Sequence, residues 1–179
     1  MKYLMLLHVL SFLLAACAEE NQVTEQQPID IPDTTRAEFS EVCLLVADTI
    51  ELSKTIETQT FSVKAPENWT FRELEGTDTY IGQIMGPVDT IEFDQGYLSF
   101  GGLSVVTPNS NTIEFVECII DGLPAIIHKE RRPENRQNEV RLSVYIDAGD
   151  REHRSRLFVF DPVDEVLLLD IFKTHTFKD

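Results

Sequence analysis

From Phe39 onward, short apolar runs alternate with turn residues, and their spacing predicts a sheet bounded by helices. Phe39, Val42, Cys43, Val46 and Ile50 recur at i, i+3, i+4, i+7 and i+11, the spacing of an amphipathic helix. Thr49 and Ile50 are β-branched, which keeps a strand as the second reading there. Residues 56–65 alternate as a strand does, with Phe61, Val63 and Ala65 on one side, and Pro66 stops it. Pro66-Glu67-Asn68-Trp69 reads as a turn that lets the single Trp seal a sheet end.

Residues 79–85 and 90–93 read as short strands around the Gly86-Pro87 turn, and residues 97–106 as an apolar strand interrupted by glycines. The clearest local signal is Asp121-Gly122 between apolar runs at 115–120 and 123–129. This dipeptide suits a type I′ hairpin, whose two central residues both need positive φ. Residues 130–139 form a charged loop, and 140–146 pairs with 156–160 in a second hairpin. Asp161 as N-cap and Pro162 at the first helical position then open a helix, with Val163, Val166, Leu167 and Leu169 to Phe172 on its buried face. The expected fold class is α+β, one domain over 39–179, with an antiparallel sheet of about six strands and helices packed on it.

The first residues follow a different pattern. Lys2 precedes an apolar run from Tyr3 to Leu14, broken only by His8 and Ser11. That is the length of a signal-peptide core, whereas a spanning helix needs roughly 20 residues. The run ends Leu14-Ala15-Ala16-Cys17, which resembles the lipobox of bacterial lipoproteins. The resemblance implies diacylglyceryl transfer to the Cys17 thiol, cleavage before Cys17, and usually acylation of the new amino terminus. Each buried CH₂ contributes about 0.8 kcal/mol, and stable anchoring needs more than one chain, a condition met when a single residue carries two or three. Residues 18–38 hold six acidic residues, one Arg and two prolines with almost no apolar periodicity, and read as a disordered tether. A flexible chain of that length spans roughly 25 Å. Glu19 and Glu20 resemble the acidic export tag that some bacteria use to place lipoproteins on the outer face of the outer membrane. The expected location is therefore the cell envelope, lipid-anchored at the outer membrane.

Charge narrows the choice of partner. Without residues 1–16, 14 basic residues face 31 acidic ones, a net −17. Such a balance argues against nucleic acid and against lying on anionic lipid. The basic charge is concentrated in one place. Lys129, Arg131, Arg132, Arg136, Arg141, Arg151, Arg154 and Arg156 make residues 129–156 net +2 while the rest is −19. Two readings stand: mixed-charge solvated loops, or an arginine face, centred on Arg131, Arg132 and Arg136, that meets an acidic envelope protein or glycan. With Cys17 acylated, Cys43 and Cys118 remain, either as a disulfide or as two separate buried thiols.

Three further segments resemble a known family. Phe61 to Trp69, with its Pro-x-Asn-Trp turn, is similar to the opening strand of PsbP-like domains. Ile120-Asp121-Gly122-Leu123-Pro124-Ala125 is similar to their central hairpin, and residues 171–177 to their final segment. The resemblance implies an α/β/α sandwich and a binding or assembly role without catalytic residues.

Motifs for chemistry are sparse. Glu92 and Asp94 share one face of a strand near Asp89, a pairing suited to Ca²⁺ or acid–base work but more simply a solvated face. His128, His153 and His175 lack ligand spacing, so no metal or cofactor is expected. Asp33-Thr34-Thr35, Asp48-Thr49-Ile50 and Asp89-Thr90-Ile91 resemble bacterial O-glycosylation sites, of which only the first lies in the tether. The leading expectation is a non-enzymatic envelope binding module. A small-ligand or glycan carrier with a cleft between sheet and helix, and a hydrolase of unrecognised type, are the alternatives. The binding module should expose an aromatic or apolar patch beside Arg131, Arg132 or Arg136.

Overall fold

The computed structural model describes residues 43, 51–96, 99, 102–132, 139–150 and 153–178. The lipobox Cys17, the tether, the helix expected over 39–50 apart from Cys43, and Arg136 and Arg151 lie outside the described residues.

Among the described residues, ten strands form two antiparallel sheets. β1 (Lys54–Glu57), β2 (Phe61–Ala65) and β10 (Thr176–Phe177) make a three-stranded sheet in the order β1-β2-β10. The larger sheet comprises β3 (Thr70–Leu74), β4 (Tyr80–Met85), β5 (Thr90–Gln95), β6 (Thr112–Ile120), β7 (Leu123–Arg132), β8 (Glu139–Asp147) and β9 (Arg154–Phe160). Its order is β3-β4-β5-β9-β8-β7-β6. An α-helix, α1 (Glu165–Lys173), precedes β10.

This corrects the expected α+β sandwich, and with it the PsbP-like α/β/α architecture. Among the described residues 54% are strand and 10% helical, with one α-helix of nine residues. The difference has local causes. The expected strand at 56–65 is a hairpin, because Thr58 Oγ1 accepts the Phe61 N–H and turns the chain without Gly or Pro. Thr70–Leu74 is an added edge strand. In the expected strand at 97–106, Leu103–Val105 instead forms a 3-10 turn after Gly102, whose φ of 94° only glycine adopts easily. The helix begins later than Asp161-Pro162 indicated, and Val163 and Val166, expected on its buried face, are exposed while Leu168, Ile171 and Phe172 are buried. Asp164 is the N-cap, accepting from the Leu167 N–H, whereas Asp161 has a φ of 47° and its carboxylate accepts the Val140 N–H.

Other readings hold in detail. Asp121 and Gly122 have φ of 50° and 75°, closing the β6–β7 hairpin as a type I′ turn requires. Pro124 sits one residue past that turn's closing pair, opposite Ile119. Trp69 is buried at the β4–β5 turn. A Cβ on Gly86 would lie 2.3 Å from the indole, so only glycine lets that turn close over it.

The core lies between the two sheets and α1. Phe61, Val63 and Ala65 of β2 face inward, as do Leu142, Val144 and Ile146 of β8 and Leu157 and Val159 of β9. The Phe61 ring meets Phe93 of the larger sheet edge-on at 5.0 Å, and Leu168, Ile171 and Phe172 of α1 complete the interior. The other face of the larger sheet carries mostly polar and aromatic side chains, with Ile126, His128, Ser143 and Tyr145 buried on it.

Candidate functional site

Strand register defines that second face. Directly opposed residues of antiparallel strands point to the same side. One row across the sheet reads Arg72, Gln83, Glu92, Phe158, Ser143, His128, Phe115. The next reads Leu74, Ile81, Asp94, Arg156, Tyr145, Ile126, Glu117. The connection from β5 to β6 must pass β9, β8 and β7. It crosses on this side, since a Cβ on Gly102 would lie 3.2 Å from both the Arg154 guanidinium and the Asp147 carboxylate.

On β9, alternation brings Phe158 and Phe160 to the face as an aromatic pair, ring centroids 5.5 Å apart and nearly perpendicular. Arg156 lies over Phe158 at 4.8 Å and Arg132 over Phe160 at 5.4 Å. A guanidinium held flat against a ring loses little further freedom when its outer edge meets a carboxylate.

Three of the eight basic residues of this stretch are neutralised within the face. Arg154 pairs with Asp147 at 3.2 Å, Arg156 with Asp94 at 3.3 Å, and Arg141 with Glu130. Arg132 differs, with a side chain 45% exposed and an ion pair to Glu139 of 3.9 Å. Arg131 is also exposed, but strand alternation sends it to the opposite side of β7, the side on which Lys129 pairs with Glu165 of α1. The structure therefore separates the neighbours Arg131 and Arg132, and Arg136 lies outside the described residues.

The other expected groups are dispersed. Glu92 and Asp94 do share the polar face, but Asp94 pairs with Arg156 and Glu92 accepts from Gln83 at 3.4 Å. Asp89 is buried and accepts the backbone N–H groups of Val163 and Asp164 at 2.9 Å each. His128 contacts Thr112 Oγ1 at 2.9 Å, and burial moves its pKa below the usual value. His153 pairs with Asp150 at 2.9 Å. His175 is fully buried, stacked on Phe61 at 4.8 Å with Phe177 edge-on at 4.6 Å; burial lowers its pKa to about 3. Among the described residues no three His, Cys, Asp or Glu side chains gather as a metal site.

Two shallow depressions flank the β3–β4 turn, about 560 Å³ beside Glu73 and Tyr80 and about 400 Å³ beside Asp78 and Gln95, both open to solvent. Cys43 and Cys118 are joined as a disulfide with Cα atoms 5.0 Å apart, both buried.

The aromatic pair is the feature that a charge count overlooks. Its signal was the i, i+2 spacing of Phe158 and Phe160 in a strand that also carries Arg156. Set against known protein families, curated proteins and solved structures, the chain matches none.

Proposed function

We propose that this chain is a lipid-anchored envelope protein whose β domain binds a carboxylate-bearing partner without catalysing a reaction. The observation that carries the reading is the Phe158–Phe160 pair on the polar sheet face, with Arg132 exposed against Phe160. Aromatic and arginine side chains are the usual energetic centres of protein surfaces that bind. Arg132 remains largely available because its neighbours are already matched to carboxylates. The lipobox resemblance at Cys17 supports the anchor, and the buried Cys43–Cys118 disulfide supports an oxidising compartment.

Two measurements bear on this. Cys17→Ser is expected to move the protein from the detergent phase to the aqueous phase on phase partitioning of cell membranes. Partitioning like the wild type removes the anchor. Arg132→Glu and Phe160→Ala, each of which should leave the core intact, are each expected to reduce recovery of the partner in cross-linked pull-down from native membranes by tenfold or more, about 1.4 kcal/mol.

A further inference from the structure

The exposed large hydrophobic side chains are not spread evenly. Val163 is 70% exposed, Val88 63% and Val166 41%, and three of the five such residues among those described meet around one buried carboxylate. Asp89, next to Val88 in the β4–β5 turn, binds the backbone of Val163 and Asp164 with both oxygens. The Gly86 N–H closes the same turn on the Asp89 carbonyl at 2.9 Å. Asp164 in turn caps α1, whose first turn holds Val166. The valines are thus mounted on backbone fixed by hydrogen bonds, and little order remains to be gained when they are covered.

Charge beside this rim is specific. Asp164, Asp161 and Glu165 are committed to the N-cap, to the Val140 N–H and to Lys129 respectively. Arg131 lies directly across from Val140, whose carbonyl accepts the Asp161 N–H and whose N–H donates to the Asp161 carboxylate, two residues before Val163. Arg131 is exposed, and no ion pair to it is found among the described residues. Phe160 and Arg132 stand at the same end of the sheet, on its other face.

We infer that the partner is a protein, which grips this end of the sheet from both sides and covers the Val88–Val163–Val166 rim with aliphatic side chains flanked by a carboxylate for Arg131. The inference rests on the binding reading above and names its partner class. Exposed apolar patches of this kind mark contacts with protein or with a membrane. An anionic lipid surface is disfavoured by a net charge of −16.

The test uses full-length chain in intact cells, with a photoreactive phenylalanine analogue at Val88, Val163 or Val166, and at Lys64 as a control on the small sheet. Positions 88 and 163 are expected to give one adduct of common mass, degraded by protease. Its cross-linked peptide, sequenced by mass spectrometry, should place aliphatic residues next to Asp or Glu. Arg131→Glu should reduce the adduct at least fivefold. Adducts with lipid, adducts removed only by glycan hydrolases, or adducts no stronger than at Lys64 would overturn the inference. If partner recovery still falls with Phe160→Ala in that case, the binding reading survives and only the partner class is lost.

Discussion

Replacing Cys43 and Cys118 together with alanine is expected to lower the unfolding free energy by about 4 kcal/mol, on the loop-entropy view of cross-links. The disulfide closes a loop with a sequence separation of 75, long enough that the unfolded chain gains much freedom when it opens. Cys118 sits on β6, the edge strand of the larger sheet, and is fully buried with Cys43 against the core. Alanine is chosen because serine would bury two hydroxyls and mix a second penalty into the result. For a domain of this size the loss corresponds to a fall in Tm of about 10–15 °C. Urea unfolding of oxidised wild type against the double variant checks it. A difference below about 1 kcal/mol would show that the bond is incidental to the fold.

Acid should destabilise the protein through one residue in particular. In the unfolded chain His175 titrates near 6.5, whereas in the fold burial lowers this to about 3. Between these values the unfolded state binds a proton that the folded state refuses. Stability therefore falls as pH drops through 6.5, by about 1.4 kcal/mol per unit, and the loss is complete near the folded value. At pH 4.5 the cost is about 3 kcal/mol from this group alone. Both ring nitrogens are buried without a hydrogen-bond partner, the ring is held by Phe61 and Phe177, and among the described residues no carboxylate pairs with it. His175→Phe keeps the stacking and removes the proton site, so its stability should change much less between pH 7.5 and 4.5. His128, also held below its usual pKa by burial, remains in the variant and keeps part of the acid limb. Parallel pH profiles for wild type and variant would refute the account of His175.

How much of this was legible follows from the kind of signal each segment carries. Asp121-Gly122 specifies its turn chemically, so the β6–β7 hairpin could be read from residues alone. The β8–β9 pairing was legible from two alternating apolar runs separated by a polar loop. β3 was not, because Thr70–Leu74 is an edge strand with Arg72 and Glu73 toward solvent and little apolar alternation. The β1–β2 turn has no Gly or Pro, and its reversal depends on the Thr58 hydroxyl. Asp161 and Asp164 are both sound N-cap residues, and tertiary hydrogen bonds to Val140 and from Asp89 decide between them. The expectation of about six strands fell short of the ten among the described residues for such local reasons, and strand order in the sheet is set by long-range packing that no periodicity reports.

The site was legible in type but not in arrangement. Arg131 and Arg132 were identified as a candidate pair, yet adjacent residues of a strand face opposite ways. Arg141, Arg154 and Arg156 belong to the same basic stretch, and only register shows Glu130, Asp147 and Asp94 set against them. What separates Arg132 from these three is a side chain 45% exposed whose ion pair to Glu139 is 3.9 Å long, and the Phe160 ring beneath it belongs to a strand more than twenty residues later in the chain.

The central claim is that the Phe160–Arg132 end of the sheet is where this protein meets its partner. The most direct measurement is quantitative cross-linked pull-down from native membranes with the full-length chain carrying Phe160→Ala and Arg132→Glu together, beside Lys64→Glu on the small sheet as a surface control. Unfolding midpoints are matched first, so that lost binding is not lost folding. The account predicts that the double variant loses the partner by at least tenfold while Lys64→Glu retains it. An unchanged partner profile in a stably folded double variant would contradict it.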